Sequence, residues 1–118
     1  MSQKRVIADQ RGREGEAEAA RWLSEKGWEI LAQRVKTKLG EIDLIARHGN
    51  QIAFIEVKWR RRAADLATAI DERRLARVAA AVEIVAHEYA LNGEDISIDV
   101  ILLAPGTVPR HIPNAWMP

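Results

Sequence analysis

At 118 residues, 47% of them hydrophobic and 30% charged, the chain predicts one self-supporting domain without room for a second. A net charge of +1 excludes a polycation, and the absence of cysteine excludes a disulfide framework and thiolate metal sites, as a reducing cytosol would favour. No window approaches the ~20 apolar residues of a membrane span, and the first residues hold no signal-like apolar run, so a cytoplasmic protein with no membrane partner is expected.

Residues 1–11 read as a polar leader, expected to be poorly ordered. From Gly12 to Lys26 the pattern is helical: Glu16, Ala19, Ala20 and Leu23 follow the i, i+3, i+4, i+7 stripe of a core-facing face. Gly27 stands at the C-cap. An acid on that stripe is unusual. Glu16 either points over a sheet toward other carboxylates or sits at the stripe's edge, near a helix N-terminus that favours acids. Glu14 and Glu18 read as surface. Trp28 to Val35 alternates like a short strand, with Trp28, Ile30 and Ala32 on one face, and Lys36 to Gly40 forms a basic turn.

Two strands follow, Gly40–Arg47 and Ile52–Trp59, joined through the turn dipeptide Gly49-Asn50. A loop centred there sets Asp43 opposite Glu56, and Glu41 opposite Lys58. Ile42, Leu44, Ala46, Ala53, Ile55 and Val57 form an apolar face that should meet the core. The other face carries Glu41, Asp43, Ile45, Phe54, Glu56 and Lys58. Like charges directly opposed across a ladder, with Cβ atoms about 5 Å apart, are destabilising, so Asp43 and Glu56 require a compensating cation. A divalent, oxygen-seeking metal or Lys58 can supply it. The competing reading is a solvated polar face. A strand that is otherwise apolar argues against it.

Arg60, Arg61 and Arg62 come next. Arginine outnumbers lysine 13 to 5, and its rigid fork suits phosphate. These three are read either as a nucleic-acid-binding cluster beside the acids or as a solvated loop. A long helix then runs from Leu66 or Asp71 to Leu91, with Leu75, Val78, Val82, Val85 and Tyr89 inward and Asn92-Gly93 as its stop. Arg73, Arg74 and Arg77 lie near its start, as a solvated face or as phosphate contacts. Ile96–Leu103 reads as a strand buried on both faces, interrupted by Asp99, for which a structural role is expected: pairing with an arginine or capping backbone donors. The proline-punctuated residues 104–118 read as a loop, with Ile112, Ala115 and Trp116 docking back. His48, His87 and His111 form no ligand pattern and read as ordinary surface or loop histidines.

Asp43 followed by Glu56-Val57-Lys58 on the next strand resembles the PD-(D/E)XK nuclease superfamily. More closely, Gly12–Leu23, Gly40–Ala46, Phe54–Arg60, Ile98–Ile101 and His111–Trp116 resemble the YraN-like family of small bacterial proteins. The resemblance implies a restriction endonuclease-like αβββαβ core, a mixed four-stranded sheet flanked by helices. It implies Mg²⁺ or Mn²⁺ held by Asp43, Glu56 and the Val57 carbonyl, with Glu16 as a further ligand, as in the similar archaeal Holliday-junction resolvases. Lys58 would position water or offset charge on phosphate. It also implies a basic residue, commonly lysine, near the second helix's start, a place open to Arg73 or Arg74. The proline that often precedes the aspartate is replaced by Ile42 and is dispensable in the superfamily.

The function expected on this basis is metal-dependent phosphodiester hydrolysis of nucleic acid, DNA before RNA and including branched DNA, with homodimerisation suited to two-fold substrates. The alternatives are a non-catalytic nucleic-acid-binding module of nuclease ancestry and a protein-interaction domain.

Overall fold

The computed structural model describes residues 3–116. In chain order the elements are helix α1 (Gln3–Glu25), strands β1 (Glu29–Lys36), β2 (Glu41–His48) and β3 (Gln51–Trp59), a 3-10 turn (Ala63–Thr68), helix α2 (Glu72–Tyr89), and strands β4 (Asp95–Leu103) and β5 (Arg110–Ile112). The expected αβββαβ series is present. The chain assigned to a leader is helical from Gln3 onward, and the terminal loop contains the short strand β5, which adds a fifth strand to the expected four.

The sheet order is β1-β2-β3-β4-β5. Its ladders are antiparallel except for β3 with β4, which are parallel because α2 carries the chain back across the sheet. Helices cover both faces. Under α1, Ala19, Ala20 and Leu23 pack on Leu44, Ala46, Ala53, Ile55, Ile101 and Leu103. Under α2, Val78, Ala81, Val82 and Val85 pack on Ile42, Ile45, Ile52 and Phe54. A third cluster joins Ala69 and Leu75 to Val100 and Leu102, and here Ile112, Ala115 and Trp116 dock as expected. Of the two starts expected for the long helix the later is found, at Asp71, whose carboxylate accepts the Arg73 N–H at 2.9 Å as an N-cap.

The turn at Gly49 (φ +61°) sets the expected register, from His48↔Gln51 to Leu44↔Ile55. The ladder then stops one pair short of Asp43 and Glu56. Beyond it β2 keeps only β1, through Val35↔Ile42 and Lys36↔Glu41, while β3 keeps only β4. Alternation breaks at the same place: Ile42 lies in the cluster under α2, but Leu44 lies under α1. The single apolar face expected for Ile42 and Leu44 is therefore split. A register shift between Ile30 and Ala32 does the same to β1, sending Ile30 to the α1 side and Ala32 to the α2 side. Asp99 is fully buried and does cap a backbone donor, Asn114 N–H, at 3.1 Å. Its other oxygen lies 2.7 Å from His111 Nε2, so its partner is a histidine rather than an arginine. His111 is thus no ordinary loop histidine. It ties β5 to β4 and meets the rings of Trp22 and Trp28 edge-on.

Candidate active site

Where β2 and β3 part, the polar side chains of both strands turn into the opening. Asp43 fills the place of the missing ladder bond: its Oδ2 accepts the Val57 N–H at 2.8 Å. That contact fixes the carboxylate between the strands instead of leaving it on one face. Burial raises the Asp43 carboxyl from its ordinary value to about 6, against the lowering effect of the Val57 hydrogen bond, and Glu16 and Glu56 push it further up.

On the α1 side, Glu16 is buried and faces the gap, which favours the inward reading of that residue. Burial raises its pKa, countered by Arg34, whose Nε donates to Glu16 Oε2 at 3.1 Å. Carboxylate oxygens of Glu16, Glu41 and Asp43 lie within 4.8 Å of one another. Such a set of hard oxygen donors could hold a divalent cation. On the α2 side, Glu56 is only 3% exposed. Its Oε1 accepts from Arg74 Nε and lies 3.4 Å from Lys58 Nζ. The expected constellation of Glu16, Asp43, Glu56 and Lys58 is therefore assembled, but in two halves. Asp43 belongs to the metal-suited cluster, whereas Glu56 is held by two cations.

Two depressions that share lining residues open here. One, of about 360 Å³, has an acidic floor of Glu41, Asp43 and Glu56 and a basic wall from the first turns of α2, Arg73, Arg74 and Arg77. The other, of about 210 Å³, lies on the α1 side against Glu16, Arg34 and Val57. Glu41, Asp43 and Arg74 border both. Of the candidates for the basic helix position, Arg74 is the one that reaches Glu56, while Arg73 gives its backbone N–H to Asp71. Arg60, Arg61 and Arg62 border neither depression: Arg60 donates to the Trp59 carbonyl and Arg62 pairs with Asp65.

Glu41 and Arg34 were not assigned to the site from the sequence, whereas Arg77 was read with Arg73 and Arg74 as a solvated face or a phosphate contact and lines the depression with them. The spacing of Arg77 from Arg73 and Arg74, i+4 and i+3 on a helix, puts it on the same wall. Glu41 sat in an expected pair with Lys58 that the early end of the ladder removes. Arg34 has a left-handed backbone (φ +54°) next to the irregular part of β1, which alternation cannot foresee.

A family model described as "Uncharacterised protein family UPF0102" matches residues 15–103, which include every acid of this site. The chain belongs to the UPF0102 family. UPF0102 proteins similar to it include those of Erythrobacter litoralis, 65% identical over 98% of this chain and 99% of the relative, and Sphingopyxis alaskensis, 54% identical over 97% and 98%. That of Rhizorhabdus wittichii is 52% identical over 96% of both chains. The expected YraN-like resemblance thus leads to UPF0102. No helix among the described residues is long and apolar enough to cross a membrane.

Proposed function

We propose that this UPF0102 protein is a divalent-metal-dependent nuclease of PD-(D/E)XK type that hydrolyses phosphodiesters in nucleic acid. The observation that carries the reading is the meeting of Glu16, Glu41 and Asp43 with Glu56 and Lys58 at the parted ends of β2 and β3, beneath the arginine wall of α2. A β2 aspartate, a β3 Glu-x-Lys and a first-helix glutamate converging in one gap is the superfamily arrangement that the resemblance implies.

Asp43 and Glu41, with Glu16, would hold the Mg²⁺ or Mn²⁺, and Glu56 with the Val57 carbonyl would complete the donor set. The cation supplies Lewis-acid polarisation of the phosphate and offsets charge developing on it. The protein's own contribution is positional. The Val57 N–H pins Asp43, burial keeps Glu56 from turning to solvent, and Lys58 holds an ammonium where phosphate charge grows. The arginines of α2 offer bidentate donors to the backbone of the nucleic acid, a sequence-independent contact that weakens with salt.

A second reading has its own observation: Glu56 is already neutralised by Arg74 and Lys58, as a non-catalytic nucleic-acid-binding module would require. Incubating the purified protein with Mg²⁺ or Mn²⁺ on linear, single-stranded, flapped and four-way-junction DNA and on RNA separates the two. Cleavage that disappears in both Asp43→Asn and Glu56→Gln supports the nuclease and names its substrate. Retained binding without cleavage, unchanged by either substitution, supports the module. If two copies act together on two-fold substrates, junctions will be cut in preference to linear duplex. Neither cleavage nor salt-sensitive binding would refute both readings and leave the protein-interaction alternative.

A further inference from the structure

Resting on the nuclease reading, we infer that Arg74 is an exchangeable internal cation: it holds Glu56 while the metal is absent and is displaced toward substrate phosphate when a divalent ion binds. Charge, access and chain geometry support the exchange.

Among the four site carboxylates, Glu16 is paired with Arg34 and Glu56 with Lys58 and Arg74, so this inner set, with Asp71, Arg73 and Arg77 of the depression's wall outside it, holds one carboxylate more than cations when every group is ionised. A divalent ion added to that set overshoots neutrality by one positive charge, and departure of one cation restores the balance. Buried or half-buried like charges repel strongly, so the ion and the departing side chain are coupled antagonistically.

Access and pairing together single out which cation leaves. The Lys58 side chain is 12% exposed and rises from the same strand as Glu56, so it is confined beside it. Arg34 is also accessible, its side chain 41% exposed, but it pairs with Glu16 on the α1 side and has no bond to Glu56 to give up. Arg74 reaches Glu56 from α2 across the larger depression, and its side chain is 59% exposed. It therefore swings into solvent without leaving a buried guanidinium unpaired, and its hydrogen bond to Glu56 is the one a metal would replace. Once released, it joins Arg73 and Arg77 on the wall of the same depression, where phosphate oxygens replace the carboxylate as its partner. Metal-free protein thus keeps Glu56 neutralised, and the arginine is freed for substrate only when the cation has arrived.

The test is calorimetric binding of Mn²⁺ alone to the full chain, with no nucleic acid and no turnover. It compares the natural protein, Arg74→Gln, Glu56→Gln and the double variant, each checked for folding by circular dichroism. Arg74→Lys is the conservative partner. Exchange predicts that Arg74→Gln binds Mn²⁺ on the order of tenfold more tightly, that Arg74→Lys lies close to the natural protein, and that the gain vanishes in the Glu56→Gln background. It also predicts that Arg74→Gln weakens binding of a short oligonucleotide measured with Mn²⁺ present, although its metal site is better. If Mn²⁺ binds the natural protein and Arg74→Gln equally, the exchange is overturned while the metal-dependent nuclease stands. If Arg74→Gln binds Mn²⁺ more weakly, Arg74 organises the site rather than competing for it, and the exchange is likewise refuted. If neither protein binds Mn²⁺, the exchange and the nuclease reading fall together.

Discussion

Gly40 is where the site depends most sharply on the absence of a side chain. It stands directly before the first residue of β2, Glu41, and the nearest atom to a Cβ built there is the main-chain oxygen of Arg77 in α2, at 2.7 Å. That is about 0.7 Å short of the ~3.4 Å at which such a contact becomes ordinary. Neither partner yields easily. The turn before Gly40 is closed by Thr37, whose hydroxyl donates to the Gly40 carbonyl at 2.8 Å and accepts its N–H at 3.1 Å, and Arg77 O belongs to a helix backbone. Gly40→Ala must therefore push α2 away from β2 and carry Arg73, Arg74 and Arg77 with it. Forced overpacking of this kind costs about 1–3 kcal/mol. At roughly 4 °C per kcal/mol for a domain of this size, the melting temperature should fall by about 4–12 °C.

Gly12→Ala is the matched control. Nothing lies within 4 Å of its added Cβ, and it stands inside α1, so the same substitution should stabilise by about 0.5–1 kcal/mol. Thermal unfolding of both variants, followed by circular dichroism, reads the contrast in sign. Gly40→Ala should also weaken oligonucleotide binding, because the arginine wall moves relative to the acidic floor. A Gly40→Ala protein as stable as the natural one would refute the claim that β2 and α2 are in backbone contact at the site.

Three further outcomes follow from individual contacts. The raised Asp43 pKa means that the folded state retains a proton the unfolded chain releases near pH 4. Stability should therefore fall as pH rises from about 4 to about 6, by up to roughly 3 kcal/mol. Asp43→Asn, which can still accept the Val57 N–H, should be more stable than the natural protein at pH 7 in urea titrations and lack that decline; a less stable variant would refute the assignment. Asp99→Ala leaves the Asn114 N–H and His111 without their buried partner, so it should lose about 2–3 kcal/mol and loosen β5 from β4, speeding trypsin cleavage at the already exposed Arg110, read by limited proteolysis. Asp71→Ala removes the N-cap of α2 and should lose about 1 kcal/mol in chemical denaturation, with α2 still formed.

The fold was legible wherever period and punctuation agreed. Gly49-Asn50 between apolar runs set the hairpin register, Leu75 to Tyr89 set the buried stripe of α2, and the near-continuous apolar run of β4, broken at Asp99, announced a strand covered on both sides. What periodicity missed were departures from period: the shift at Ile30/Ala32, the crossing of Ile42 to the α2 side, and the short strand β5. β5 has only three residues in proline-rich chain, and its attachment rests on Asp99 and His111, an interaction between residues twelve positions apart that no local pattern encodes.

Asp43 and Glu56 were legible as site acids for a reason that also explains what was missed. Asp43 and Glu56 conflict with the apolar strands that carry them, and such a conflict is visible in one dimension. How the conflict is resolved is not. The ladder ends before the two carboxylates are forced face to face, Asp43 takes a backbone N–H in place of its strand partner, and Glu56 is handed to a helix that arrives later in the chain. Each step relieves the like-charge opposition that strict pairing would impose. The parting of β2 and β3 is thus the structural answer to placing two acids at adjacent positions of neighbouring strands. It opens the sheet in the gap where those acids, Glu16 from α1 and Arg74 from α2 can meet. A substitution that removed the conflict, such as Glu56→Val with Arg74→Leu, should let the ladder extend toward Val57. The protein should gain stability while losing any affinity for Mn²⁺ that depends on Glu56, so stability and the candidate chemistry are opposed at this point in the fold.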